Sequence, residues 1–166
     1  MAEISLFRID FRLIHGQVIV KWLKQTPTDR IVIIDDQLAK DDFMADIYRM
    51  SAPPGMKVEV YSREAAVAAW KKDQMGQGRL FVLVKTVHTT LALKQEGFGI
   101  REVQVGGLGG DSGRVTICPG VTLDERDAGE LQELEKLGCS VYLHVVPAEP
   151  RLELREAIER FATKKK

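Results

Sequence analysis

The chain has 166 residues, 45% of them apolar and 29% charged, the balance of an ordinary globular domain with room for a sizeable core. Its 24 basic and 24 acidic residues cancel, which excludes a global electrostatic pull toward nucleic acid or an anionic membrane. No apolar segment approaches the ~20 residues needed to span a bilayer, and Cys118 and Cys139 stand in no metal or redox spacing. The opening Met1-Ala-Glu-Ile leads into no basic-then-apolar run, so no export signal is expected. A single domain over 1–166, working in a reducing cytoplasm, is the expectation.

Residues 3–9 read as a strand, and Val18, Ile19, Trp22 and Leu23 repeat as one face of a helix. Further strands are expected at 30–34, 56–61, 80–84, 101–105 and 140–146. Several are apolar at successive positions, as in Ile31-Val-Ile-Ile34, the pattern of a parallel sheet covered on both faces. Helices are expected between them. Residues 41–51 carry Phe43, Met44, Ile47 and Tyr48 on one stripe, and 62–74 turn Ala65, Ala66, Ala69 and Trp70 inward behind a Ser62 cap. A helix over 88–96 follows, then one over 123–137 with Leu131, Leu134 and Leu137, stopped by Gly138. The last, over 150–162, uses Leu154, Ile158 and Phe161, and 163–166 read as a frayed tail. Pro53-Pro54-Gly55 and Gly97 with Gly99 are connectors. This alternation predicts an α/β fold, an open, twisted, mostly parallel doubly wound sheet with helices on both faces. Val115–Cys118 is the candidate for an antiparallel edge strand.

The chemistry concentrates where the first strand meets the first helix. Arg8, Asp10, Phe11 and Arg12 precede His15, Gly16 and Gln17. A helix start presents unpaired N–H groups and the positive end of the helix dipole, a seat for a phosphoryl group. Gly16 permits close backbone approach there, with Gln17 beside it, and Arg12 and Arg8 add positive charge. Imidazole nitrogen can accept a phosphoryl group and surrender it again, so His15 itself is the candidate carrier. Asp10 either orients the imidazole and its loop or merely ends the strand and pairs with Arg12.

In open α/β sheets a site gathers beyond the strand carboxyl ends. With the first strand beside the second and fourth, Asp35, Lys85 and Thr86 would join His15, Lys85 facing a phosphate across the crevice. Lys85 reads equally well as a solvated charge, and Asp35-Asp36 as helix caps. His88 reads as a helix-start residue and His144 as a strand side chain. Gly106-Gly-Leu-Gly-Gly110 lacks the Gly-Lys-Ser/Thr sequel of a P-loop, leaving a wall of the site or a subunit contact. No Gly-x-Gly-x-x-Gly turn follows the first strand, which counts against a dinucleotide-binding or sensory domain.

The run Arg8-Ile-Asp-Phe-Arg-Leu-Ile-His-Gly-Gln-Val18 resembles the signature of the IIB component of the mannose/fructose/sorbose class of the sugar phosphotransferase system. Blocks at 31–36, 52–57, 84–86, 102–107 and 145–147 extend the resemblance over nearly the whole chain. It implies an open twisted α/β fold with the histidine loop after the first strand. It also implies that His15 accepts phosphate on Nδ1 from a IIA histidine, that Arg12 helps hold it, and that a sugar bound by membrane IIC and IID components receives it. No cofactor and no metal is implied. The protein would be cytoplasmic and peripherally associated with the transporter, as a IIB unit without a fused IIA domain; self-association stays open. Where the family usually has a second aspartate this chain has Phe11. That change makes the loop less negative, or offers an apolar contact to a partner. It leaves open a regulatory relative that keeps the histidine without feeding a transporter. The sugar is not legible, because the membrane component binds it.

Overall fold

A computed structural model of the protein describes residues 1–165, with the side chain of Gln17 outside the described set. In chain order the elements are β1 (Glu3–Asp10), α1 (Gly16–Gln25), β2 (Arg30–Ile34), α2 (Asp36–Ala39), α3 (Asp42–Met50), β3 (Lys57–Tyr61) and α4 (Arg63–Asp73). They continue with β4 (Arg79–Val84), α5 (Val87–Gln95), β5 (Glu102–Gly107), β6 (Val115–Cys118), β7 (Val121–Leu123), α6 (Glu125–Lys136), β8 (Ser140–Leu143), β9 (Leu152–Glu153) and α7 (Leu154–Lys165). The main sheet runs β3-β2-β4-β1-β5-β8-β9, parallel throughout except for β9.

The apolar strand runs divide by their alternation into two cores, one on each face. Phe7, Ile9, Val32, Val82, Val84, Val103 and Val105 meet the inner faces of α4, α5, α6 and α7. Leu6, Ile31, Ile33, Phe81 and Leu83 meet Ile19 and Trp22 of α1, Leu38 of α2 and Ala45 of α3. The sheet is therefore doubly wound, as expected. The period of two then has a consequence for β1. Because Leu6 lies on the α1 face, Arg8 and Asp10 lie there too, and both are fully buried.

Six local expectations change. The antiparallel edge strand is β9, two residues paired to β8, whereas Val115–Cys118 forms a separate hairpin with β7. Three of the four stripe residues on α3 are exposed, Phe43 at 75% and Ile47 at 43% with Met44 beside them, since this short helix meets the core through Ala45 and the fourth, Tyr48. On α4, Val67 is buried and Ala65 exposed, and on α6 the terminal Leu137 is exposed as well. The strand expected to run to residue 146 stops at Leu143, so His144 lies just past it. At the C-terminus, α7 continues through Thr163, Lys164 and Lys165, held where Lys164 Nζ donates to the Thr116 carbonyl at 2.8 Å. Lys166 lies outside the described residues.

The assumed strand order also changes. β1 sits between β4 and β5, with β2 one strand further out. The chain leaves β1 toward the β4 side and leaves β5 toward the β8 side, so a switch point falls between β1 and β5. The end of β5 and the loop after β8 contact the end of β1, through Gly107 and through the carbonyls of His144 and Val145.

Candidate functional site: an imidazole on a buried carboxylate

The loop leaving β1 is a tight turn. Leu13 N donates to the Asp10 carbonyl at 2.9 Å, and Phe11 N donates to the Gly107 carbonyl at 3.1 Å. Leu13 adopts φ +56°, rare for a branched side chain, and its side chain is fully buried in the core beneath α1. That apolar anchor holds the strained turn, leaving Phe11, Arg12 and His15 at the surface. Gly16, with φ +41°, opens α1 and is exposed.

Asp10 is the hub. Its Oδ1 accepts from Arg12 N at 3.0 Å and Arg12 Nε at 3.1 Å. Its Oδ2 accepts from Arg8 Nη2 at 3.1 Å, Arg12 Nη2 at 3.3 Å and His15 Nε2 at 2.8 Å. Burial works to raise the Asp10 pKa, but the hydrogen bonds from Arg12 and His15 outweigh it and hold the carboxyl below its ordinary value. An ionised carboxylate only accepts, so Nε2 of His15 carries the proton. In the neutral ring Nδ1 then bears a lone pair. The His15 side chain is 20% exposed.

The start of α1 differs from its counterparts. Asp35, Asp41, Ser62, Thr86 and Asp124 each cap a following helix with a side-chain oxygen, at α2 to α6 in turn. His15 occupies the cap position of α1 without making such a bond, and no acidic residue stands in its first turn. The amides and dipole there are available to an anion.

Arg8 departs from expectation. It is fully buried, its Nη1 donating to Gln104 Oε1 at 2.5 Å and to the His144 carbonyl at 3.0 Å. Its Nη2 donates to the Gly106 and Val145 carbonyls besides Asp10, and Nε has no partner. It cannot hold a phosphoryl group at the surface; it is a strut joining β1 to β5 and the loop after β8. The register puts Arg8 opposite Gln104 and Gln104 opposite Tyr142, a polar row across three strands. Trp22 extends the strut to α1, its Nε1 donating to the Val145 carbonyl at 2.9 Å while the Arg8 guanidinium lies 5.5 Å from its ring.

Lys85, Asp35 and Thr86 have other partners. Lys85 Nζ lies 3.9 Å from Asp35 Oδ2, Asp35 caps α2, and Thr86 caps α5. The Gln17 side chain lies outside the described residues. His88 stands in the first turn of α5 against Glu130. The glycines that end β5 do form a wall. A Cβ on Gly106 would lie 2.0 Å from Arg8 Cζ, and one on Gly107 2.8 Å from Asp10 Oδ1 and 2.9 Å from Arg12 Nη2. Gln104, Trp22 and the carbonyls of His144 and Val145 were not singled out from sequence. Among the described residues no cluster of three or more His, Cys, Asp or Glu is arranged to hold a metal ion.

Fold and site together define a doubly wound α/β domain with a partly exposed, oriented imidazole at a switch point of its sheet. The chain belongs to the sorbose subfamily of phosphotransferase-system IIB components, sugar phosphotransferase domains: the family described as "PTS system sorbose subfamily IIB component" matches residues 4–166. It is 36% identical over 160 residues to the sorbose-specific EIIB component of Klebsiella pneumoniae, covering 96% of this chain and 98% of that protein. The crystal structure of the IIBSor domain of the sorbose permease from the same organism superposes with a TM-score of 0.86, covering 95% of this chain and 96% of that one at 35% identity. The crystal structure of manxB from Thermoanaerobacter tengcongensis gives a TM-score of 0.90 at 38% identity, covering 97% and 98%. The mannose-specific EIIAB component of Escherichia coli is 29% identical over 157 residues, covering 95% of this chain and 49% of that longer protein.

Proposed function

We propose that His15 carries a phosphoryl group on Nδ1, taking it from a phosphohistidine of a IIA component and passing it to a sugar held by membrane IIC and IID components. The observation that carries this reading is the 2.8 Å hydrogen bond from His15 Nε2 to Asp10 Oδ2. It engages one ring nitrogen and leaves the other as a nucleophile beside Arg12 and the uncapped start of α1.

In the first step the Nδ1 lone pair attacks phosphorus while the donor's N–P bond breaks, and the donor ring regains its lone pair. The positive charge arriving on the His15 ring is met by Asp10 through the Nε2 proton. Arg12 and the first amides of α1 neutralise the equatorial oxygens, so the work is positioning and electrostatics. In the second step a sugar hydroxyl attacks phosphorus, the N–P bond breaks, and the hydroxyl proton passes to solvent. His15 returns to its starting state.

The IIA assignment is supported by the Escherichia coli relative, whose name joins A and B components in one chain. No helix among the described residues is long and apolar enough to cross a membrane. The reading places the protein in the cytoplasm, docked on the transporter. The test is incubation with a IIA component bearing a labelled phosphohistidine, followed by mapping of the label. We expect label on His15 and none on His15→Ala; label persisting in that variant would overturn the assignment.

A further inference from the structure

The site holds one large side chain that the transfer chemistry does not use. Phe11 is 45% exposed at the tip of the histidine loop. Its ring is nonetheless placed: its backbone N–H is held by the Gly107 carbonyl, and a Cβ on Gly109 would lie 3.6–3.8 Å from three of its ring atoms. The ring therefore rests on the backbone of the loop after β5. The Arg12 guanidinium carbon lies 5.4 Å from the ring centroid, within the range of a cation–π contact.

Asp10 alone leaves the Arg12 guanidinium incompletely fixed. Its paired contacts, Nε to Oδ1 and Nη2 to Oδ2, define the plane of the fork but leave it free to swing about the line joining the two groups. Two of the five guanidinium N–H donors are engaged there, so three remain for an incoming phosphoryl group. Gly107, lacking a side chain, gives Arg12 Nη2 room. An aromatic ring seated on Gly109 supplies the missing restraint.

We infer that Phe11 is a positioning residue for the phosphoryl step: its ring, braced on Gly109, holds the Arg12 guanidinium in the orientation that presents its free donors beside His15. This rests on the reading of His15 as the phosphoryl acceptor.

The test uses phosphoramidate, a small chemical donor that needs no protein docking, on the wild type, Phe11→Leu, Phe11→Tyr, Arg12→Ala and the Phe11→Leu/Arg12→Ala double variant. Leucine keeps apolar bulk and removes the π face. We expect Phe11→Leu to slow His15 labelling about two- to fivefold, the range of an exposed cation–π contact, and Phe11→Tyr to keep the wild-type rate. In the Arg12→Ala background Phe11→Leu should have no further effect. A Phe11→Leu rate equal to wild type, or an equal loss with and without Arg12, would overturn the proposal. A second readout needs no phosphoryl group. The Arg12 Nε–H resonance should carry a ring-current shift and a high order parameter in the wild type, and lose both in Phe11→Leu; an unmoved signal would also overturn it. Failure of wild-type His15 to accept the label would instead strike at the phosphoryl reading, with the Arg12 resonance still deciding the role of Phe11.

Discussion

Asp10 and His15, five residues apart, are joined by a 2.8 Å hydrogen bond that decides which imidazole nitrogen carries the proton. The same carboxylate accepts from Arg8 and, three times over, from Arg12. One fully buried side chain thus couples the imidazole, the surface guanidinium and the strut beneath the sheet end.

Asp10→Asn is nearly isosteric and tests this coupling. The amide offers one acceptor oxygen in place of two and no charge to meet the phosphorylated ring. Hydrogen bonds to charged groups contribute about 1.5–3 kcal/mol, so labelling of His15 by phosphoramidate should slow by roughly 10- to 100-fold. Nitrogen NMR of the wild-type neutral ring should show the proton on Nε2, and the variant should show both tautomers. A variant with the wild-type rate and a single tautomer would remove Asp10 from the site.

Arg8 gives a different signature. Removing one member of a buried pair leaves the other unpaired, at about 3–5 kcal/mol. For a chain of this size that corresponds to a fall of roughly 6–20 °C in Tm. Arg8→Lys should show most of this loss, because an ammonium cannot reach Gln104, Asp10 and three carbonyls together. A surface phosphate ligand would instead tolerate lysine in thermal unfolding and lose only transfer rate, which is the outcome that would reinstate Arg8 as a ligand.

That contrast shows where the sequence is legible. His15, Asp10 and Arg12 stand within six positions, so the turn alone brings them together, and alternation from apolar strand to periodic helix marks the turn. Arg8 looks like any strand charge because its main partners, Gln104 and Gly106, are 96 and 98 positions away. Local periodicity carries no register between β1 and β5. For the same reason only one of the two neighbours expected for β1, β4, lies beside it, the other being β5 in place of β2, and the pairing of Lys85 with Asp35 is not legible from periodicity. The apolar stripe of α3 misled in another way: periodicity identifies a helix but not which of its faces meets the sheet.

Asp29 provides a pH test away from the site. Hydrogen bonds from the Arg79 guanidinium and backbone N–H hold its pKa down to about 2, against 3.8 for the free carboxyl. A folded-state pKa below the unfolded one contributes stability above the unfolded value and loses it as pH falls through the folded value. The urea midpoint of the wild type should therefore exceed that of Asp29→Asn at pH 5. The gap should narrow below pH 4 and close near pH 2. A gap independent of pH would mean that the charge on Asp29 contributes nothing.

Gly129 tests whether every glycine here is required. It lies within α6, exposed, without the left-handed φ of its neighbours in turns, and a Cβ there would meet nothing within 4 Å. A glycine inside a helix costs about 0.8–1 kcal/mol relative to alanine, largely through the freedom of the unfolded chain. Gly129→Ala should raise Tm by roughly 2–4 °C and leave His15 labelling unchanged. Gly106→Ala, by contrast, puts a methyl against the Arg8 guanidinium and should lower Tm and slow labelling together. If both variants shift stability in the same direction, the close approach of β5 to Arg8 is not what holds the histidine loop in place.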